Sequence, residues 1–213
     1  MNIVVDTNNQ GVSLLQQGRT DEALRLLKQS AELLFKITQG MKEALIFDHE
    51  EPWRETSTRC FPSETNVHVD DVFVQSTPVI MQYVGEPETC CTVESATILL
   101  NMALCYHLIS TTSINAAYST ENAISLYQTS SSLCLQAIAD QRAHHIILTS
   151  LNNCGQLYHE RGDFDNARFC LDDLATFVLY LREEGYHESI TGLQEFMLNA
   201  IILRNPIKNA AAA

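Results

Sequence analysis

The chain has 213 residues, with 13 basic and 26 acidic side chains and a net charge of −13 at pH 7. A surface of that sign repels phosphate, so no nucleic acid and no anionic membrane is expected as a partner, and neutral or basic protein partners remain. Apolar residues make up 46% and charged residues 18%, a balance that folds and can bury a sizeable core.

Residues Met1 to Asp6 carry no basic region and no long apolar stretch, so no signal peptide is expected. The longest apolar run, 96–109, is interrupted by Asn101 and His107 and falls short of the roughly 18 residues of a membrane span. Seven cysteines without regular spacing read as free thiols of a reducing compartment. The protein is expected to be soluble and intracellular, cytoplasmic or nuclear.

In chain order, a first helical unit covers about 4–47. Its first helix ends at Gly18, where the left-handed cap conformation favours glycine, and Thr20 or Asp21 caps the second. That second helix runs to about Phe47, with Leu24, Leu27, Ala31, Leu34, Ile37 and Met41 at helical spacing. Residues 48–90 break the pattern, holding four of the five prolines and the only tryptophan, Trp53. Within them 50–65 reads as a polar loop, and 67–74 with 78–84 as one or two strands or a hairpin. This extended excursion packs over the side of the first unit, lies against a groove of the helices, or pairs with a partner strand. A second unit covers about 92–140, with a Ser/Thr-rich loop at 110–120. A third covers about 143–184 and ends at Gly185. A last helix, about 187–204, is stopped by Asn205-Pro206 and covers the end of the stack. It is more apolar than a cover requires, so self-association through it, or through the insertion, is the alternative. The tail 208–213 is expected to be disordered.

Two segments align without gaps. Asn8-Asn9-Gln10-Gly11 leads to Gly18 and Ala23; Asn152-Asn153-Cys154-Gly155 leads to Gly162 and Ala167. A third, degenerate copy has Asn101, Ala103 in place of the first glycine, and Ala123 after an insertion. Small residues inside the first helix let a neighbour approach closely, although glycine there costs up to about 1 kcal/mol relative to alanine. Each copy is thus a helix, a tight turn and an antiparallel helix, and such pairs stack.

These offsets resemble the tetratricopeptide repeat (TPR) family, specifically in 4–36 and 148–180 and less closely in 96–137. The resemblance implies an all-α fold of helix-turn-helix repeats in a right-handed superhelix, here one domain over 1–207. It also implies that first helices line a concave face, where asparagines grip the main chain of an extended peptide. Asn9, Asn101 and Asn153 stand at that offset, with Asn8 and Asn152 beside them. A carboxamide both donates and accepts, so it can pair with a peptide unit without reading side chains. The same asparagines could instead bond between helices or to water. His107 and His159 hold equivalent places in their units and are further groove candidates. One TPR branch binds carboxylate-ended chaperone peptides through basic groove residues. The candidates here, Asn8, Val12, Thr97, Leu100, Leu104, Thr149, Asn153 and Gln156, include none, so that role is not expected.

No phosphate-cradling glycine loop, GxSxG elbow or HExxH helix occurs, the adjacent His144 and His145 point apart on a helix, and Cys90-Cys91 lack a CxxC partner. No catalytic residue, metal site or cofactor is expected. The expected function is a non-catalytic protein–protein interaction module, an adaptor or scaffold binding a peptide or partner protein. The alternative is a self-associating structural protein whose groove is filled by its own insertion.

Overall fold

Apolar residues at helical spacing dominate the sequence, and in the computed structural model of the chain every regular element among the described residues is an α-helix. The structure describes residues 1–45, 77–81, 91–112, 116–186, 190 and 192–204. The helices are α1 (Asn2–Gln16), α2 (Thr20–Leu45), α3 (Thr92–Thr112), α4 (Ala116–Gln136), α5 (Gln141–Glu160), α6 (Phe164–Glu183) and α7 (Leu193–Arg204). They group into two compact units that divide within α4, between Leu126 and Tyr127.

In the first unit α1 and α2 form an antiparallel pair. Val4, Val5, Asn8, Gly11, Val12 and Leu15 give α1 its buried face, and Ala23, Leu24, Leu27, Ser30 and Leu34 give α2 the face that meets it. A Cβ on Gly11 would stand 2.9 Å from Leu27 Cγ and 3.4 Å from the Ala23 carbonyl, so the close approach of the helices requires glycine there. The buried Ser30 hydroxyl donates to the Val4 carbonyl at 2.9 Å. On the other side α2 packs against α3, where Lys28 Nζ lies 5.4 Å from the centre of the Tyr106 ring.

The turn between α1 and α2 closes with a paired set of bonds. Gly18, at φ +75°, donates to the Leu15 carbonyl at 3.0 Å, and Arg19 N–H to the Leu14 carbonyl at 2.9 Å. This double closure satisfies two carbonyls that the helix end leaves open. The second unit repeats it residue for residue. Gly162, at φ +74°, donates to His159 at 3.0 Å, and Asp163 to Tyr158 at 2.9 Å. Gly155 on α5 faces Leu171 on α6, with both Cγ and Cδ2 3.1 Å from where a Cβ would sit. Helix α6 also packs against α7 and buries Phe164, Ala167, Leu171, Leu174, Phe177, Val178 and Leu181.

Several details depart from the sequence reading. Arg19, not Thr20 or Asp21, occupies the cap position of α2. Its carbonyl receives Ala23 N–H at 3.0 Å, and its guanidinium pairs with Glu22 at 2.6 and 2.7 Å. The turn matches the one before α6, so Arg19 falls where Asp163 does, and Thr20 and Asp21 already lie within the first turn of α2. Asp163 at the matching place does cap α6, accepting from Asn166 N–H at 3.3 Å. Within the expected loop at 110–120, residues 110–112 and 116–120 are helical, and the Ser110 and Thr111 hydroxyls are satisfied there by donating back to the His107 and Leu108 carbonyls (2.6 and 2.8 Å), as Thr120 does to Ala116 at 2.9 Å. Helix α7 starts at Leu193 rather than near His187. Gly192, at φ +83°, cannot continue a helix backwards. No strand is present among the described residues, and 77–81 form none. The expected strand 67–74, the loop 50–65 and the tail 208–213 lie outside the described residues.

Helix α3 is long and apolar enough, by length and composition alone, to cross a membrane, despite its Asn and His. In the fold it is a core helix, with Ala96, Ile98, Leu100, Ala103, Leu104 and Cys105 all buried. Cys105, Cys134 and Cys154 are free and buried. Burial pushes the thiols of Cys105 and Cys134 up to about 12, so they behave as small hydrophobes.

Candidate functional site

Two asparagines of the expected row, Asn9 and Asn101, meet the main chain of residues 79 and 81. Asn101 projects from α3, and its Oδ1 accepts from Val79 N–H at 2.8 Å while its Nδ2 donates to the Val79 carbonyl at 2.8 Å. Asn9 projects from α1 and treats Met81 in the same way, accepting from N–H at 2.9 Å and donating to the carbonyl at 2.9 Å. The N–H and C=O of one residue point to the same side only where the backbone is extended, and residues two apart share that side. The pairing thus sets an extended chain with Val79 and Met81 facing the helices. Each carboxamide stands in for a neighbouring strand.

Asn8 holds the two gripping amides in register. Its Oδ1 accepts from Asn101 Nδ2 at 3.1 Å, and its Nδ2 donates to Asn9 Oδ1 at 3.1 Å. Asn101 therefore uses its two N–H groups on Asn8 and Val79, and Asn9 Oδ1 receives two donors, from Asn8 and Met81. Turning any of the three amides over would set donor against donor or acceptor against acceptor, so the network fixes its own orientation. Asn8 and Asn101 are fully buried, where each such bond matters most because water cannot replace it.

The side chains of the segment alternate less regularly. Pro78 and Met81 are buried, Val79 is half-buried and Ile80 is exposed. The edge away from the asparagines carries the polar groups of residues 78 and 80. Proline has no N–H to offer there, which discourages another strand from pairing on that edge. The grip itself contains no charged group.

The remaining candidates lie elsewhere. Asn152 and Asn153, on α5, belong to the second unit and are fully buried. Asn152 Nδ2 donates to Asn153 Oδ1 at 3.0 Å, Asn153 Nδ2 donates to the Tyr127 hydroxyl at 3.2 Å, and Asn199 Nδ2 of α7 donates to Asn152 Oδ1 at 2.7 Å. His107 is buried in the first unit, and burial pushes its pKa down to about 4, so it is neutral at pH 7. His159 is half-buried with its ring edge-on to Phe164 at 5.0 Å. His144 is buried beside Phe177 and Tyr186, and its Nε2 lies 2.8 Å from the Ile138 carbonyl.

Sequence reasoning missed Asn199. Its one signal is a carboxamide inside an apolar run, Phe196-Met197-Leu198-Asn199-Ala200-Ile201, much as Asn101 sits between Leu100 and Met102. The tie of Asn8 to Asn101 was also not readable from spacing. No family model, curated protein or solved structure matches the chain.

Proposed function

We propose that the protein is a non-catalytic interaction module, a TPR-like stack of helix pairs whose first helices grip extended main chain through asparagine side chains. The observation that carries this reading is the pair of two-way contacts that Asn101 and Asn9 make with Val79 and Met81. A grip on backbone alone accepts many sequences, which suits an adaptor or scaffold. The acidic net charge favours neutral or basic partners.

In this chain the first unit's grip is filled from within, by residues 77–81. That favours a second element of the proposal: a partner binds this face by displacing the chain's own segment. An internal competitor acts at an effective concentration in roughly the millimolar range, so it masks a modest external affinity.

The test replaces Pro78, Val79, Ile80 and Met81 with Gly and Ser and adds a peptide of residues 74–84 to the full chain. The replaced chain should bind the peptide at least tenfold more tightly than wild type, and Asn9→Ala with Asn101→Ala should abolish that binding. Retained helicity without any peptide binding would contradict the module. Loss of the helical fold on replacement would assign the segment to the core, as in a structural protein that fills its own groove.

A further inference from the structure

Backbone contact alone accepts many sequences, but the side chains of the gripped segment narrow the choice. Asn101 and Asn9 bond the N–H and C=O of Val79 and Met81, and the polar groups of residue 80 point to the opposite edge. Met81 is 6% exposed and Pro78 is buried, whereas Ile80 is 58% exposed and Val79 is half-buried. Each place in the segment therefore sets its own condition. Residue 79 must keep its N–H, which excludes proline. Residue 81 must keep its N–H and also bury its side chain. Residue 78 is buried and needs no N–H towards the asparagines. Residue 80 is bound by neither condition.

We propose that the partner which displaces the chain's own segment is an extended segment of another protein, with proline at the place of Pro78 and a large uncharged apolar side chain at the place of Met81. Between them stand a residue other than proline, facing Asn101, and then an unrestricted one. This deepens the reading of the first unit as a displaceable main-chain grip and rests on it. The fixed φ of proline holds the segment extended before it binds, so less freedom is lost, and it brings no N–H into a buried place. A charge at 78 or 81 would have to leave water, and the grip contains no charge to offset it. A charge at 80 stays in water. Lysine is accepted there, and the net charge of −13 favours it over an acidic residue.

The test uses the full chain carrying Met81→Lys, which should release its own segment, with calorimetric titration of peptides of residues 74–84. The unaltered peptide and its Ile80→Lys form should bind alike. The Pro78→Lys and Met81→Lys forms should bind about tenfold more weakly or worse. N-methylation at Val79 should weaken binding as much, and at Ile80 not at all. Equal binding of the two N-methylated peptides would overturn the main-chain grip itself. A contrast between them, with lysine tolerated at 78 and 81 as well as at 80, would overturn the sequence rule and leave a grip that ignores side chains. A folded Met81→Lys chain that binds no peptide, or one that loses its helices, would overturn displacement by a partner. A second measurement needs no peptide. In the otherwise unaltered chain, Ile80→Lys should keep the residue 79 amide protected from hydrogen exchange, and Pro78→Lys should expose it. Equal protection in both would contradict the rule.

Discussion

A carboxamide can donate to and accept from one peptide unit at once while carrying no charge, and that property decides the residue-scale behaviour of the site. Replacing Asn101 with alanine strands the Val79 N–H and C=O and the Asn8 oxygen together. Each group left unpaired in a buried place costs about 1–3 kcal/mol, so Asn101→Ala should lower unfolding stability by at least that much in urea titrations. Asn101→Asp keeps the shape but loses both N–H donors and turns an oxygen towards two acceptors. It should be no better tolerated than alanine at pH 7, and a stability equal to wild type would show that the donors contribute nothing. His107 gives a separate, pH-dependent prediction. Its pKa is about 4 in the fold against an ordinary 6.5, because burial disfavours the charged ring. The unfolded chain therefore takes up a proton as pH falls through 6.5 while the folded one stays neutral. Stability is full above that range, declines between 6.5 and about 4, and levels off where the folded ring also titrates. The loss amounts to roughly 3 kcal/mol, and half-buried His145 contributes in the same direction. His107→Gln should remove most of the decline in melting temperature between about pH 7 and pH 4.5; an unchanged decline would place its origin elsewhere. Glu22 and Asp140, held low by Arg19 and Arg142, act only at more acidic pH.

At the scale of elements, the two copies of the helix pair share both their turn and their contact. Gly11 lies under Leu27 and Gly155 under Leu171, and Gly18 and Gly162 close matching turns. Alanine favours a helix by about 1 kcal/mol over glycine, yet at Gly11 it would push Leu27, which is fully buried and cannot move aside. Overpacking of that kind costs about 1–3 kcal/mol, so Gly11→Ala should be net destabilising in denaturant titrations; a gain in stability would show that the helices can separate freely. These positions were legible in the sequence because a glycine that recurs at fixed offsets within a helical pattern marks a close helix approach or a left-handed turn. The hydroxyl-rich stretch 110–120 was not. Serine and threonine serve loops and helix interiors alike, and a hydroxyl that can turn back onto its own helix, as those of Ser110, Thr111 and Thr120 do, leaves no signal in the sequence. The start of α7 was missed for a related reason, since the apolar pattern before Gly192 reads as helix until the backbone of that glycine is known.

At the scale of the molecule, the offset marks Asn9, Asn101 and Asn153 alike, yet only Asn9 and Asn101 meet one segment, and what they hold was one of three open readings. Asn9 and Met81 are 72 residues apart, and a grip on main chain imposes no side-chain signature on the segment gripped. The β-branched and apolar character of 78–84 points to extension without naming the surface it meets. Asn199 stayed hidden because its partner is an asparagine 47 residues earlier, with no repeated glycine to align it. Since the grip is neutral, its strength should change little with ionic strength even though the chain carries a net charge of −13. The most direct measurement of the main claim is residue-resolved hydrogen exchange over residues 77–81. Val79 and Met81 should be protected and Ile80, whose N–H points to the opposite edge, should exchange quickly. That alternation should vanish when Asn9 and Asn101 are both changed to alanine while protection within α1 and α2 persists. Uniform exchange across the three amides in wild type, or alternation that survives the double change, would contradict an asparagine grip on main chain.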